Sequence, residues 1–121
     1  MQISNKRKLK DLQKDFKNAF PYLKIEFYRS EHEFGEETPR EDGLDAELSV
    51  AEARTLSTEG IMPLDGTQRT SEFEMDMAKK FDLNVQVFRK SYGKWLQTWA
   101  TDNWSLQEQN DRSAKMGSKD L

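Results

Sequence analysis

The chain has no cysteine and a single histidine among its 121 residues. There is therefore no disulfide framework, no thiol nucleophile and no thiolate metal site, and His32 is the one imidazole open to acid–base or metal work. The six glycines form neither a G-x-G-x-x-G nor a P-loop, so no phosphate cradle is legible. No apolar run comes near the ~20 residues of a membrane span. The start, MQISNKRKLKDLQKDF, is basic, but no apolar stretch follows it. It does not read as a signal peptide, and a cytoplasmic protein is expected, with no membrane partner. No internal repeat is visible.

What the chain does have is charge and aromatic residues. Charged residues make up 34% of the sequence and hydrophobic residues 35%, which points to one small core under a heavily charged surface. Seven Phe, three Trp and three Tyr argue against disorder. The segment 31–59 holds ten acidic and two basic residues, a net of −8 that leaves +5 on the remainder against the overall −3. Punctuated by Gly35, Pro39 and Gly43, it reads as an acidic loop insertion whose main role is solubility.

Leu9, Leu12, Phe16 and Ala19 recur at helical spacing, so a helix is expected over 4–19, capped by Ser4 and stopped at Pro21. Its other face carries Lys6, Arg7, Lys10, Lys14 and Lys17. YLKIEFYR alternates as a half-buried strand, with Leu23, Ile25 and Phe27 inward and Tyr22, Lys24, Glu26 and Tyr28 outward. LDAELSVAEARTL reads as a short helix. GIMPLDG is a short strand, at an edge or bulged because of Pro63. A second helix is expected over 71–81 with a Ser71–Glu74 capping box and a buried stripe of Phe73, Met77 and Phe81. NVQVFRKSYGKWLQTWA reads as a hairpin. Ser105 and Glu108 repeat the capping-box pattern before a short helix, and residues 110–121 read as a polar, frayed tail beyond a single domain of 1–109. The expected fold class is α+β: two helices on one face of a four-stranded, mainly antiparallel sheet, in a permuted ferredoxin-like order αββαββ.

The run FDLNVQVFRKS followed by WLQTWATDNWSLQEQN resembles a family of small uncharacterised bacterial α+β proteins. The resemblance implies a bacterial, intracellular protein and carries no activity, cofactor or site residue with it.

No catalytic residue, cofactor or metal site is expected. His32 lies among Glu31, Glu33, Glu36 and Glu37. A weak divalent-ion site is conceivable there, but a solvated loop is the expected reading. DGLDAE and LDGTQ lack the ligand offsets of a calcium loop and read as turns at Asp42-Gly43 and Asp65-Gly66.

The position of the tryptophans depends on the hairpin register, because a slip of one residue exchanges the faces. A two-residue loop, Tyr92-Gly93, pairs Lys90 with Trp95 and sets Phe88, Trp95 and Trp99 on the outer face. A three-residue loop, Ser91-Tyr92-Gly93, buries Trp95 and Trp99. Turn chemistry favours the second, since the first forces Tyr92 to positive φ. Trp104 is expected to pack the last helix against the end of the sheet. The candidate partner-binding face comprises Tyr22, Lys24, Tyr28, Phe88, Lys90, Trp95 and Trp99. It suits a non-catalytic interaction domain for a protein partner or a second copy of the chain. Single-stranded nucleic acid is the alternative, and an enzyme without a sequence-visible site is the second alternative.

Overall fold

The computed structural model describes residues 1–29, 37 and 39–117. Glu31, His32, Glu33 and Glu36 lie outside the described residues. The fold is α+β. Strand β1 (Gln2–Ile3) pairs antiparallel with β3 (Gly60–Ile61). Strands β2 (Leu23–Tyr28), β4 (Asn84–Ser91) and β5 (Lys94–Gln97) form a second antiparallel sheet in the order β2-β4-β5. The helices are α1 (Leu9–Ala19), α2 (Thr70–Phe81) and α3 (Leu106–Gly117).

The expected four-stranded, ferredoxin-like sheet is therefore replaced by a three-stranded sheet and a separate two-stranded one. Gly60–Ile61 finds its partner at the N-terminus, which sequence pattern did not mark as a strand. The C-terminal segment is no frayed tail through Gly117: α3 continues across it and buries Gln109 and Ser113.

The apolar stripes behave as their spacing dictates. Leu9, Leu12, Phe16 and Phe20 from the first helical stretch meet Phe73, Met77 and Phe81 from α2 over Leu23, Ile25, Phe27, Val85 and Val87. Ala19 is exposed and Phe20 takes its expected place in the core. Asp82 ends α2 in the left-handed conformation, φ 55°, and its N–H and that of Leu83 reach back to the last turn.

The caps do not fall where expected. Ser4 opens a turn rather than a helix, and α1 begins after Lys8, whose N–H donates to the Asp11 carboxylate at 2.9 Å. Glu74 is drawn away from any capping box with Ser71. It is buried, and its Oε2 accepts the Val87 N–H at 2.9 Å. The acids that work as caps lie three residues after Lys8 and Ser49: Asp11 and Glu52 accept the N–H groups of those residues, while Glu72 and Glu108 hold the same offset from Arg69 and Ser105. Ser49 and Glu52 make both bonds of a capping box, at 2.9 and 3.1 Å, and the Glu108 N–H donates to Ser105 Oγ at 3.1 Å, as expected.

These four positions belong to one recurring design. Each follows a turn closed by a backbone bond: Arg7 to Ser4, Leu48 to Asp45 and Gln68 to Asp65 at 3.1 Å, and Trp104 to Thr101 at 2.9 Å. The turns then face one another in pairs, through bridges Lys8–Ser49 and Arg69–Ser105. In the first pair the Leu9 and Lys10 N–H groups donate to Leu48 and Ala46, while Val50 and Ala51 donate to Arg7 and Asn5. In the second pair Thr70 and Ser71 donate to Trp104 and Asp102, while Leu106 and Gln107 donate to Gln68 and Gly66. Orphan N–H groups of each first turn are thus satisfied by the partner turn.

The sheet repeats the same relation. Ile25 pairs with Val87 and Phe27 with Val85, about the central pair Glu26–Gln86. A shift of sixty residues superposes Ile25 on Val85, Glu26 on Gln86 and Phe27 on Val87, so a local two-fold axis passes between Glu26 and Gln86. The chain thus passes twice through the order turn, helix, strand, at 4–28 and at 65–91.

The acidic segment beyond Pro39 is structural. The Leu44 N–H donates to Phe27 and the Arg29 N–H to Asp42, which closes the edge of β2. Residues 44–51 make a turn and the short 3-10 helix Ala51–Ala53, in place of the expected longer helix. The residues from 42 to 54 are therefore part of the fold rather than a solubilising insertion.

Candidate functional site

The hairpin turns through two residues. Tyr92 has φ 49° and Gly93 φ 79°, and the register sets Lys90 opposite Trp95 and Phe88 opposite Gln97. The primed turn follows the twist of the strands better than the three-residue alternative, and this gain outweighs the strain of a left-handed tyrosine. The expectation of buried tryptophans is overturned. Trp95 is half-buried on the sheet face that also carries Phe88 and Lys90. Trp99 lies beyond the strand, on the 3-10 turn Trp99–Thr101, and is 40% exposed.

Four of the seven candidate residues come together. Lys24, Tyr28, Phe88 and Trp95 line a cleft of about 320 Å³ with Glu26, Arg40 and Gly43. The Lys24 ammonium stands 5.2 Å from the Phe88 ring centre and 5.0 Å from that of Trp95, and Lys17 of α1 reaches the same indole at 4.9 Å. Lys24 also pairs with Glu26 at 3.2 Å. A second cleft continues along Tyr28 and Phe88 to Glu37, Pro39, Arg40, Glu41 and Gln97. On the other side a groove between α1 and β2 is lined by Lys10, Gln13, Lys14, Lys17, Asn18, Lys24, Ile25 and Glu26.

Tyr28 is not an exposed anchor. The 39–43 segment covers it to 5% exposure, and burial, with Glu26 adding, raises its phenol pKa to about 12. Tyr22 precedes β2 and works through its backbone: its N–H donates to Asn110 Oδ1 at 2.9 Å and its carbonyl accepts the Lys90 N–H at 3.1 Å. Lys90 shares the face by register, and Trp99 stands apart from the cleft.

Sequence reasoning missed Lys17, Lys10 and Lys14 as part of this surface. The basic face of α1 was visible as a row of lysines, but nothing in the pattern tied it to the sheet. The signal that was present is local: Gln13, one residue after the apolar Leu12, donates to the Ile25 carbonyl at 3.0 Å and to Glu26 Oε2 at 3.2 Å, which fixes α1 against the edge of β2.

Among the described residues, no group of three or more His, Asp or Glu side chains is placed to hold a metal ion, and no helix is long and apolar enough to cross a membrane. The fold and surface together define an α+β protein with a basic-aromatic face. No family model, no curated protein and no solved structure matches the chain.

Proposed function

We propose that this chain is a non-catalytic, cytoplasmic interaction module that docks an acidic segment of a protein partner. The segment would lie along the α1–β2 groove and the outer face of the sheet. The observation that carries this reading is the position of the Lys17 and Lys24 ammoniums, both about 5 Å from the Trp95 ring. They join the basic face of α1 to the aromatic face of the sheet. A partner's carboxylates would meet Lys10, Lys14, Lys17 and Lys24, and its apolar side chains would pack against the ring edges of Phe88 and Trp95. Half-buried aromatic residues beside long cations are the usual anchors of such contacts. Single-stranded nucleic acid is the weaker reading. Base stacking needs open ring faces, and here lysines already stand over both rings.

The test is a titration of the full chain with an acidic-aromatic peptide such as a Glu/Phe repeat, and separately with a single-stranded oligonucleotide, followed by Trp fluorescence. The peptide is expected to bind, with affinity falling as salt rises. Lys17→Glu and Trp95→Ala are each expected to weaken it by about tenfold. Peptide binding untouched by both substitutions removes the proposal. Oligonucleotide binding at low salt with no peptide binding would transfer the face to nucleic acid, and concentration-dependent dimerisation lost in Trp95→Ala would transfer it to a second copy of the chain.

A further inference from the structure

On the opposite side of the sheet, two arginines converge on one indole. Arg89 lies on β4 in the register of Val85 and Val87, facing away from Phe88 and Trp95. Its guanidinium carbon is 5.8 Å from the Trp104 ring centre, and that of Arg112 on α3 is 4.4 Å from the same centre. Two like charges sharing one ring repel each other. The nearest compensation falls on one side only, an ion pair of Arg112 with Glu108 at 3.9 Å. Arg89 makes no ion pair with any described residue. Among the described residues its Nη1 meets the Met116 thioether alone, at 3.9 Å, and its Nε is buried with no partner. The Ser91 hydroxyl points to the same sulfur at 3.6 Å.

This is a poor resting state for an arginine. A buried N–H without an acceptor is destabilising, and native proteins leave few such groups. A thioether is a weak acceptor and cannot balance a full positive charge. Both guanidiniums are held over the Trp104 ring, so part of their side-chain freedom is already lost before an anion arrives. Planar guanidiniums held this way suit a multivalent oxyanion, whose oxygens can take paired N–H donors from both arginines.

We propose that Arg89, Arg112 and Trp104 form an oxyanion site for a phosphate-type dianion, such as a phosphate monoester, with the Ser91 hydroxyl as a further donor. The site is separate from the docking face and does not depend on it: Arg89 and Phe88 are neighbours in sequence but lie on opposite faces of the sheet.

Inorganic phosphate is the probe. About 10 mM phosphate is expected to raise the thermal midpoint of the full chain by about 3 °C over chloride at equal ionic strength. Phosphate also stabilises proteins generally by exclusion from their surface. Arg89→Met, which keeps the unbranched stem and removes the guanidinium charge, measures that background and is expected to lose the excess shift. Arg112→Gln is expected to lose most of it. Nitrogen–proton spectra locate the ion independently: phosphate is expected to move the Arg89 side-chain Nε–H and the amides of residues 89–91 and 112–116. Equal shifts in wild type and Arg89→Met overturn the proposal. So do spectral changes that cluster on residues 10–17, which would place the phosphate on the α1 lysines. Should Arg89→Met fail to fold, wild-type spectra alone decide, because an unmoved Arg89 Nε–H at saturating phosphate is incompatible with the site.

Discussion

At the scale of single residues, the difference between Tyr28 and Phe88 is informative. The two side chains occupy equivalent places in the two turn–helix–strand stretches, on the outer face of the paired strands β2 and β4. Tyr28 is closed over by residues 39–43, whereas Phe88 stays half-buried beside Lys24. The alternation of YLKIEFYR marked Tyr28 as outward-facing, which is right for the strand. Its burial comes from a segment that sequence could place only as a loop. Burial pushes the phenol up to about 12 from its ordinary 10, so the folded state favours neutral tyrosine. That stabilisation is fully present below pH 10 and is lost as pH rises through 12. A denaturant midpoint measured from pH 9 to 12 is expected to fall across this window, and Tyr28→Phe is expected to remove part of the fall. An identical decline in both proteins would show that Tyr28 ionises as freely folded as unfolded.

At the scale of elements, the β4–β5 hairpin shows where turn chemistry misleads. Sequence supplied the strands, the glycine and both candidate registers. It could not weigh the cost of a left-handed Tyr92 against the better match of a primed turn to strand twist. Left-handed backbone costs a non-glycine residue roughly 1–2 kcal/mol, less for asparagine. Tyr92→Asn would give an Asn-Gly pair, the preferred sequence for this turn, and is expected to stabilise the chain by about 1 kcal/mol in chemical denaturation. No gain, or a loss, would mean that the exposed Tyr92 ring makes contacts worth as much as the strain. The helices were legible by contrast, because an apolar stripe at three- and four-residue spacing has one good solution. Their first turns were not, because α1 is capped by Leu48 and Ala46 and α2 by Trp104 and Asp102. These are main-chain carbonyls, distant in sequence, that no side-chain pattern reports.

At the scale of the whole molecule, the class α+β and most of the core could be read from the chain, but the topology could not. The two turn–helix–strand stretches share a pattern of turn, cap, acid and apolar stripe rather than residue identities: Leu12 answers to Phe73, Phe16 to Met77 and Gln13 to Glu74. The surface was half legible, its aromatic residues from strand alternation and its lysines only once α1 was set beside β2. The facing turns also bear on motion. Each turn in a pair both gives and receives, so neither can detach without releasing the other's amides. Opening is then an all-or-none event that joins stretches far apart along the chain. In hydrogen–deuterium exchange, Leu9, Lys10 and Val50 are expected to lose protection together at one opening free energy, and Thr70, Ser71, Leu106 and Gln107 together at another. If Leu9 exchanged with the rest of α1 while Val50 exchanged early, the two turns would be opening independently. A locked pair, by contrast, makes each half of the chain fray from its middle rather than from its ends.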